Sequence, residues 1–192
     1  MPKVIEKLAY EYNELNDKAK QKLKDSYCEH FVDVDFEVEC LETILEELGF
    51  HNAKIAYSGF WSQGDGASFT CDKWQYKKGM VANIRQSYPL WSSLHLIAKE
   101  LQSLSKKTGY NLEFNVYRRS HHYYHENTVA CDFGYNEYDE KIQDYVDDAV
   151  KWLCKTLYDS LEQAYYAAIS DESIEDFYTS NEYLFDEKGG IL

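Results

Sequence analysis

At 192 residues, with 44% apolar and 16% aromatic side chains, the chain is long enough to bury a core as a single domain, and eighteen tyrosines argue against disorder despite the charge. A net charge of −14 opposes nonspecific contact with nucleic acid, so direct nucleic-acid binding is not expected. The start "MPKVIEKLAYEYNEL" has no apolar signal-peptide core and no run of about 18 apolar residues occurs, which predicts a cytoplasmic protein with no membrane partner.

From Lys3 to Cys28, Ile5, Leu8, Tyr12, Leu15 and Ala19 recur at spacings of three and four, predicting an amphipathic helix. Asp35 is the expected N-cap of a second helix, whose stripe is Val38, Leu41, Ile44, Leu45 and Leu48, and Gly49 ends it. The period then falls to two. Ala53, Ile55 and Tyr57 share one face of a strand, and Ala67, Phe69 and Cys71 share one face of the next. A third helix is predicted over 87–109, with Pro89 in its first turn and Leu94, Ile97, Leu101 and Leu104 inside. "NLEFNVYRR" and "HYYHENTVACDFGY" alternate as a second hairpin, and a long helix follows from Tyr138 to Ile169. "SDE" opens a short last helix and "FDEKGGIL" closes with a turn. The order ααββαββαα gives an α+β domain: a four-stranded, mostly antiparallel sheet of two hairpins packed by about five helices.

Charge is divided along the chain. Residues 1–49 carry net −7, residues 50–131 net +5 and residues 132–192 net −12, so two acidic arms flank a basic middle. Such arms favour a basic partner or solubility, and a variant reading makes the acidic helices a nucleic-acid mimic. The five cysteines are odd in number and form no CxxC pair, which reads as reduced thiols without a metal.

The connection "YSGFWSQGDGASFT", residues 57–70, is the first candidate site. Gly64 and Gly66 would permit left-handed backbone on both sides of Asp65, so that N–H groups converge into an anion-binding nest, although hairpin turns use glycine for the turn alone. Trp61, Ser62, Gln63 and Asp65 exceed what a turn needs, and an exposed tryptophan among amide, hydroxyl and carboxylate groups is the make-up of a recognition surface. There is no GxxxxGK[ST] and no catalytic triad.

The second candidate, "YRRSHHYYHENT" at 117–128, holds Arg118, Arg119, Tyr124 and His125. His121 and His125 would lie about 13 Å apart on a strand, too far for one ion. Tyr, His and Arg alternating on a strand could stack on a base or bind a phosphate, and a solvated strand end explains them as well.

"GFWSQGDGASF" (59–69), "YYHENT" (123–128) and the closing 157–192 together resemble a family of small phage-encoded proteins of unknown mechanism, some labelled antitoxins of toxin–antitoxin systems. The resemblance departs at Cys71, where glycine is expected. It implies a protein made during infection that acts on the host by binding. The expected function is therefore neutralisation of a host toxin or defence factor through the 57–70 hairpin surface, without cofactor. Trp61 would be the anchor, Ser62, Gln63, Gly64, Asp65 and Gly66 the polar turn, and Arg118 and Arg119 the basic rim. The alternative is a nucleotide or other small-molecule binder or hydrolase, in which the glycine turn holds phosphate, Trp61 and Tyr124 stack, and His125 is general acid or base.

Overall fold

The computed structural model describes residues 7–119, 123–134 and 138–192. Helices and antiparallel strands mix as the alternating periods imply, and the described residues form two compact units, Asp35–Glu162 and the two ends of the chain, up to Val34 and from Gln163.

In the Asp35–Glu162 unit the five strands are β1 (Phe50–His51), β2 (Lys54–Tyr57), β3 (Ala67–Gln75), β4 (Glu113–Arg118) and β5 (Val129–Asp132). All pairings are antiparallel, in the order β1-β3-β4-β5, with β2 also on β3. Among the described residues the sheet has five strands, one more than expected, because the edge strand opposite β3 breaks at Asn52. Asn52 takes φ +54°, and its Nδ2 donates to the Asp72 carboxylate at 2.8 Å. Across β3, the register against β4 jumps from Cys71↔Val116 to Trp74↔Phe114, a bulge that lies at the same level as the break and strengthens the local twist.

Six α-helices among the described residues also exceed the expected five: α1 (Asp17–His30), α2 (Asp35–Glu47), α3 (Met80–Ser87), α4 (Ser92–Lys107), α5 (Glu140–Ala168) and α6 (Asp171–Ser180). The addition is α3, which starts after left-handed Gly79 and buries Met80 and Ile84. Consequently α4 begins at Ser92, and Pro89 lies before it instead of in its first turn.

The stripes predicted for the second and third helices face the core on α2 and α4, with Val38 half-buried, and α5 turns its own apolar side the same way. Leu41, Leu45, Leu94, Ile97, Leu101, Leu104, Val146, Leu153, Leu157 and Leu161 are all buried. Phe50, Phe69, Trp74 and Phe114 fill the centre of the sheet. Trp74 stacks on Phe114 at 5.2 Å between ring centroids, and its indole N–H donates to the Leu48 carbonyl at 2.9 Å.

The unit formed by the chain ends has a core of its own, made by Tyr12, Leu15, Ala19, Leu23, Tyr27, Ile174, Tyr178 and Phe185. The helix expected from Lys3 does not extend through residues 7–16; residues 3–6 lie outside the described part. Tyr10 instead bridges Phe185, Tyr12–Glu14 form a 3-10 turn, and Asn16 caps α1 by accepting the Ala19 N–H at 3.0 Å. The cap expected at "SDE" is present: Ser170 accepts the Ser173 N–H at 3.2 Å. The closing turn is held by Asp186, whose carboxylate accepts the N–H groups of Lys188 and Gly190 at 2.9 and 2.8 Å.

Candidate functional site

Antiparallel pairing of Tyr57 with Ala67 brings both ends of the 58–66 loop together. Ser58 and Gly66 close its neck: the Ser58 N–H donates to the Gly66 carbonyl at 3.0 Å, and the Gly66 N–H donates to Ser58 Oγ at 3.2 Å. Phe60 then plugs the loop onto the body of the unit. It is buried, stacks on Tyr57 at 5.4 Å and meets Tyr158 of α5 at 5.8 Å.

The interior of the loop is organised by Asp65, which is half-buried. One carboxylate oxygen accepts the N–H groups of Trp61 (2.9 Å) and Ser62 (2.7 Å), while the Asp65 N–H donates to the Ser62 carbonyl at 2.9 Å. The converging N–H groups expected of an anion nest therefore exist, but their anion is the loop's own carboxylate. Asp65 thus serves the loop itself as an acceptor.

The glycines also differ from expectation. Neither Gly64 nor Gly66 is left-handed. A Cβ on Gly64 would meet nothing within 4 Å, whereas one on Gly66 would stand 2.5 Å from His125 Cβ, 2.8 Å from His125 Cα and 3.0 Å from the Tyr124 carbonyl oxygen. Gly66 thus serves close approach of two backbones, and the approaching segment belongs to the second candidate motif.

Of that motif's site residues Arg118 alone falls on a strand, at the end of β4; Arg119, Tyr124 and His125 do not. Tyr123–His125 precede β5 as a loop, and His125 caps a 3-10 turn, Glu126–Thr128, its Nδ1 accepting the Asn127 N–H at 3.2 Å. The His125 carbonyl accepts both the N–H (2.9 Å) and the hydroxyl (2.7 Å) of Thr128, and the Arg119 N–H donates to the Thr128 carbonyl at 2.7 Å. His121, the other half of the weighed histidine pair, lies outside the described residues. Arg118 stands 5.1 Å over the Tyr124 ring, a cation–π contact that fixes both side chains.

The antiparallel register puts the Arg118 end of β4, the start of β5 and the 58–66 loop at one end of the sheet. Trp61 is 72% exposed there, and Ser62, Gln63, Gly64 and Arg119 are exposed as well. The sequence reading passes over Ser58, Phe60 and two further exposed rings, Tyr117 and Tyr123. Aromatic identity within the two motifs is the signal that could have found the three rings.

Three thiols are unsuited to act as nucleophiles. Burial pushes Cys71 and Cys154 up to about 12, and burial with the neighbouring Asp147 carboxylate pushes Cys131 up as well. Among the described residues, no group of three or more His, Cys, Asp or Glu could hold a metal ion, and no helix is long and apolar enough to cross a membrane.

No curated protein and no solved structure matches the chain. Residues 34–171 match the family model described as "Domain of unknown function (DUF8835)", and this range contains the whole Asp35–Glu162 unit with its sheet and both candidate motifs. The chain belongs to the DUF8835 family.

Proposed function

We propose that this is a phage-encoded, non-enzymatic binding protein that neutralises a host toxin or defence factor in the host cytoplasm. Its contact would be the sheet end carrying the 58–66 loop. The observation that supports the reading is a tryptophan 72% exposed on a loop whose shape is set from within, by Asp65, by the Ser58–Gly66 neck and by buried Phe60. A loop ordered before binding loses little conformational entropy on association, and an aromatic anchor on such a loop is where interface energy concentrates.

Trp61 is the anchor in this reading, Ser62 and Gln63 supply polar contacts, and Arg118, Arg119 and Tyr124 form a basic, aromatic rim. Asp65, Gly66 and His125 act one step back, holding the loop and the 123–128 segment against each other. A phosphate in the glycine turn has less support, because the Trp61 and Ser62 N–H groups that would receive it already face Asp65.

Affinity capture from host lysate with wild type and Trp61→Ala side by side tests the proposal. A host protein retained by wild type and lost with Trp61→Ala, with the variant's thermal stability unchanged, is the expected result. Stabilisation by nucleotides in a thermal-shift screen, with no host protein captured, would support the small-molecule alternative instead.

A further inference from the structure

Among the described residues, β1 and β2 pair with β3 alone and β5 pairs with β4 alone, so the sheet has two borders. Border strands present N–H and C=O groups with which another strand can pair. The ladders fix which groups these are. The Ser58 N–H bonds to the Gly66 carbonyl, so by alternation Lys54 and Ala56 bond toward β3 and Ile55 turns its N–H away from the sheet. On the other side the Arg119 N–H bonds to the Thr128 carbonyl, so Ala130 and Asp132 bond toward β4, and Val129 and Cys131 turn outward.

At both borders an outward N–H ends on a helix carboxylate. Glu42 Oε1 of α2 accepts from Ile55 at 3.0 Å, and Asp147 Oδ1 of α5 accepts from Cys131 at 3.2 Å. One turn along α2, Glu46 Oε1 accepts the N–H of Asn52 at the break between β1 and β2. Residues four apart share a helix face, so α2 presents both glutamates to one border. Each holds that border twice: Glu42 Oε2 pairs with Lys54 Nζ at 2.7 Å, and Glu46 Oε2 stands 3.4 Å from His51 Nδ1. The Glu42 side chain is only 18% exposed.

A carboxylate in this place opposes an added strand in two ways. Its charge-assisted bond must break before the N–H can pair elsewhere, and its charge repels the carbonyl oxygen that a new strand would bring there.

We infer that Glu42, Glu46 and Asp147 close the two borders of the sheet against strand addition by a second copy of this chain. The β5 border is complementary to itself. A two-fold axis through Ala130 sets Val129 opposite Cys131 of the copy, with the outward N–H and C=O groups of both in register. Asp147 occupies one of those N–H groups on each copy. The closure is independent of the Trp61 surface.

Sedimentation equilibrium and hydrogen exchange on the full chain test the inference. Asp147→Ala opens β5 and Glu42→Ala/Glu46→Ala opens the other border. Each should gain one two-fold contact over wild type, and the triple variant should grow without closing. A contact with a Kd of about 200 µM raises the weight-average mass about 1.5-fold at about 200 µM chain. In Asp147→Ala the Cys131 amide should exchange about tenfold faster than in wild type at about 5 µM, and slow again about twofold at about 200 µM, where half the chains are paired. Asp147→Ser, too short to reach the N–H, repeats this reading where alanine costs the fold. Glu42→Gln/Glu46→Gln/Asp147→Asn removes the same charges as the triple alanine variant but keeps an acceptor at each N–H, and should match wild type. Wild-type mass for every alanine and serine variant at about 200 µM would overturn the inference. So would equal association of the amide set, association that leaves the Cys131 amide fast, or association lost when Trp61→Ala is added.

Discussion

Gly66→Ala should loosen the junction between the two candidate motifs, and its cost can be worked from the contacts. Gly66 is not left-handed, so alanine meets no backbone strain; the obstacle is a methyl 2.5 Å from His125 Cβ and 2.8 Å from His125 Cα, where ordinary contact begins near 3.4 Å. The obstructing atoms are backbone or its first side-chain carbon and cannot rotate away. A shift of about 0.9 Å would be needed, against the bonds that tie His125 to Thr128 and Asn127. Overpacking of this kind costs about 1–3 kcal/mol, and the reduced freedom of the unfolded chain returns about 0.4–1 kcal/mol, leaving a net loss centred on about 1 kcal/mol and at most about 2.6 kcal/mol. Urea unfolding followed by tryptophan fluorescence is the assay, since Trp61, Trp74, Trp91 and Trp152 all belong to the Asp35–Glu162 unit. Gly64→Ala, with no neighbour within 4 Å, is the control and should be neutral or slightly stabilising. Equal or greater stability for Gly66→Ala than for wild type would refute the close-approach argument.

Asp65→Ala removes the acceptor of two loop N–H groups and should cost about 1–2 kcal/mol in the same assay, whereas Trp61→Ala should cost under about 1 kcal/mol because so little of the ring is buried. Native alkylation at pH 8, read by peptide mass spectrometry, should spare Cys71, Cys131 and Cys154, whose raised values keep them as thiols, and modify Cys28 or Cys40 first. The Asp186 carboxyl is held below the usual carboxylate range by the Gly190 and Lys188 N–H groups. Its folded value is depressed, so its contribution is complete above the ordinary unfolded value and is lost as pH falls through the folded one; Asp186→Asn should therefore flatten the acid limb of a Tm-against-pH curve below about pH 4.

The helical stripes were the most legible part of the sequence. In α2 and α4 the apolar positions predicted at three- and four-residue spacing are the buried ones, with Val38 half-buried, because a helix that covers a sheet must present one continuous face. The same spacing misled at the start of the chain. Tyr12, Leu15 and Ala19 are buried, yet Asn16 starts the helix later and Leu8 is 77% exposed. The short β1 and the helix α3 were not read, since two residues carry no period and α3 follows a Lys-Lys-Gly run that resembles a turn.

At the candidate site the residue types were legible and their directions were not. Exposure of Trp61 follows from its place beside a polar turn. That Asp65 turns inward depends on which N–H groups converge, and that Gly66 meets His125 depends on a pairing 59 positions away in the chain. Composition encodes neither.

In the proposed function the partner contact lies at the Trp61 end of the sheet and not on the acidic helices. Asp147 accepts the Cys131 N–H and so serves structure, which leaves exposed Asp144 and Asp148 of α5 for a clean charge test. Dissociation of the captured host protein, measured by surface-bound kinetics for Trp61→Ala and for Asp144→Asn/Asp148→Asn, separates the two surfaces. Trp61→Ala is expected to raise the dissociation rate at least tenfold, about 1.4 kcal/mol, and the double asparagine variant to leave it unchanged. Wild-type kinetics for Trp61→Ala, with association slowed and made salt-sensitive by the asparagines, would contradict it.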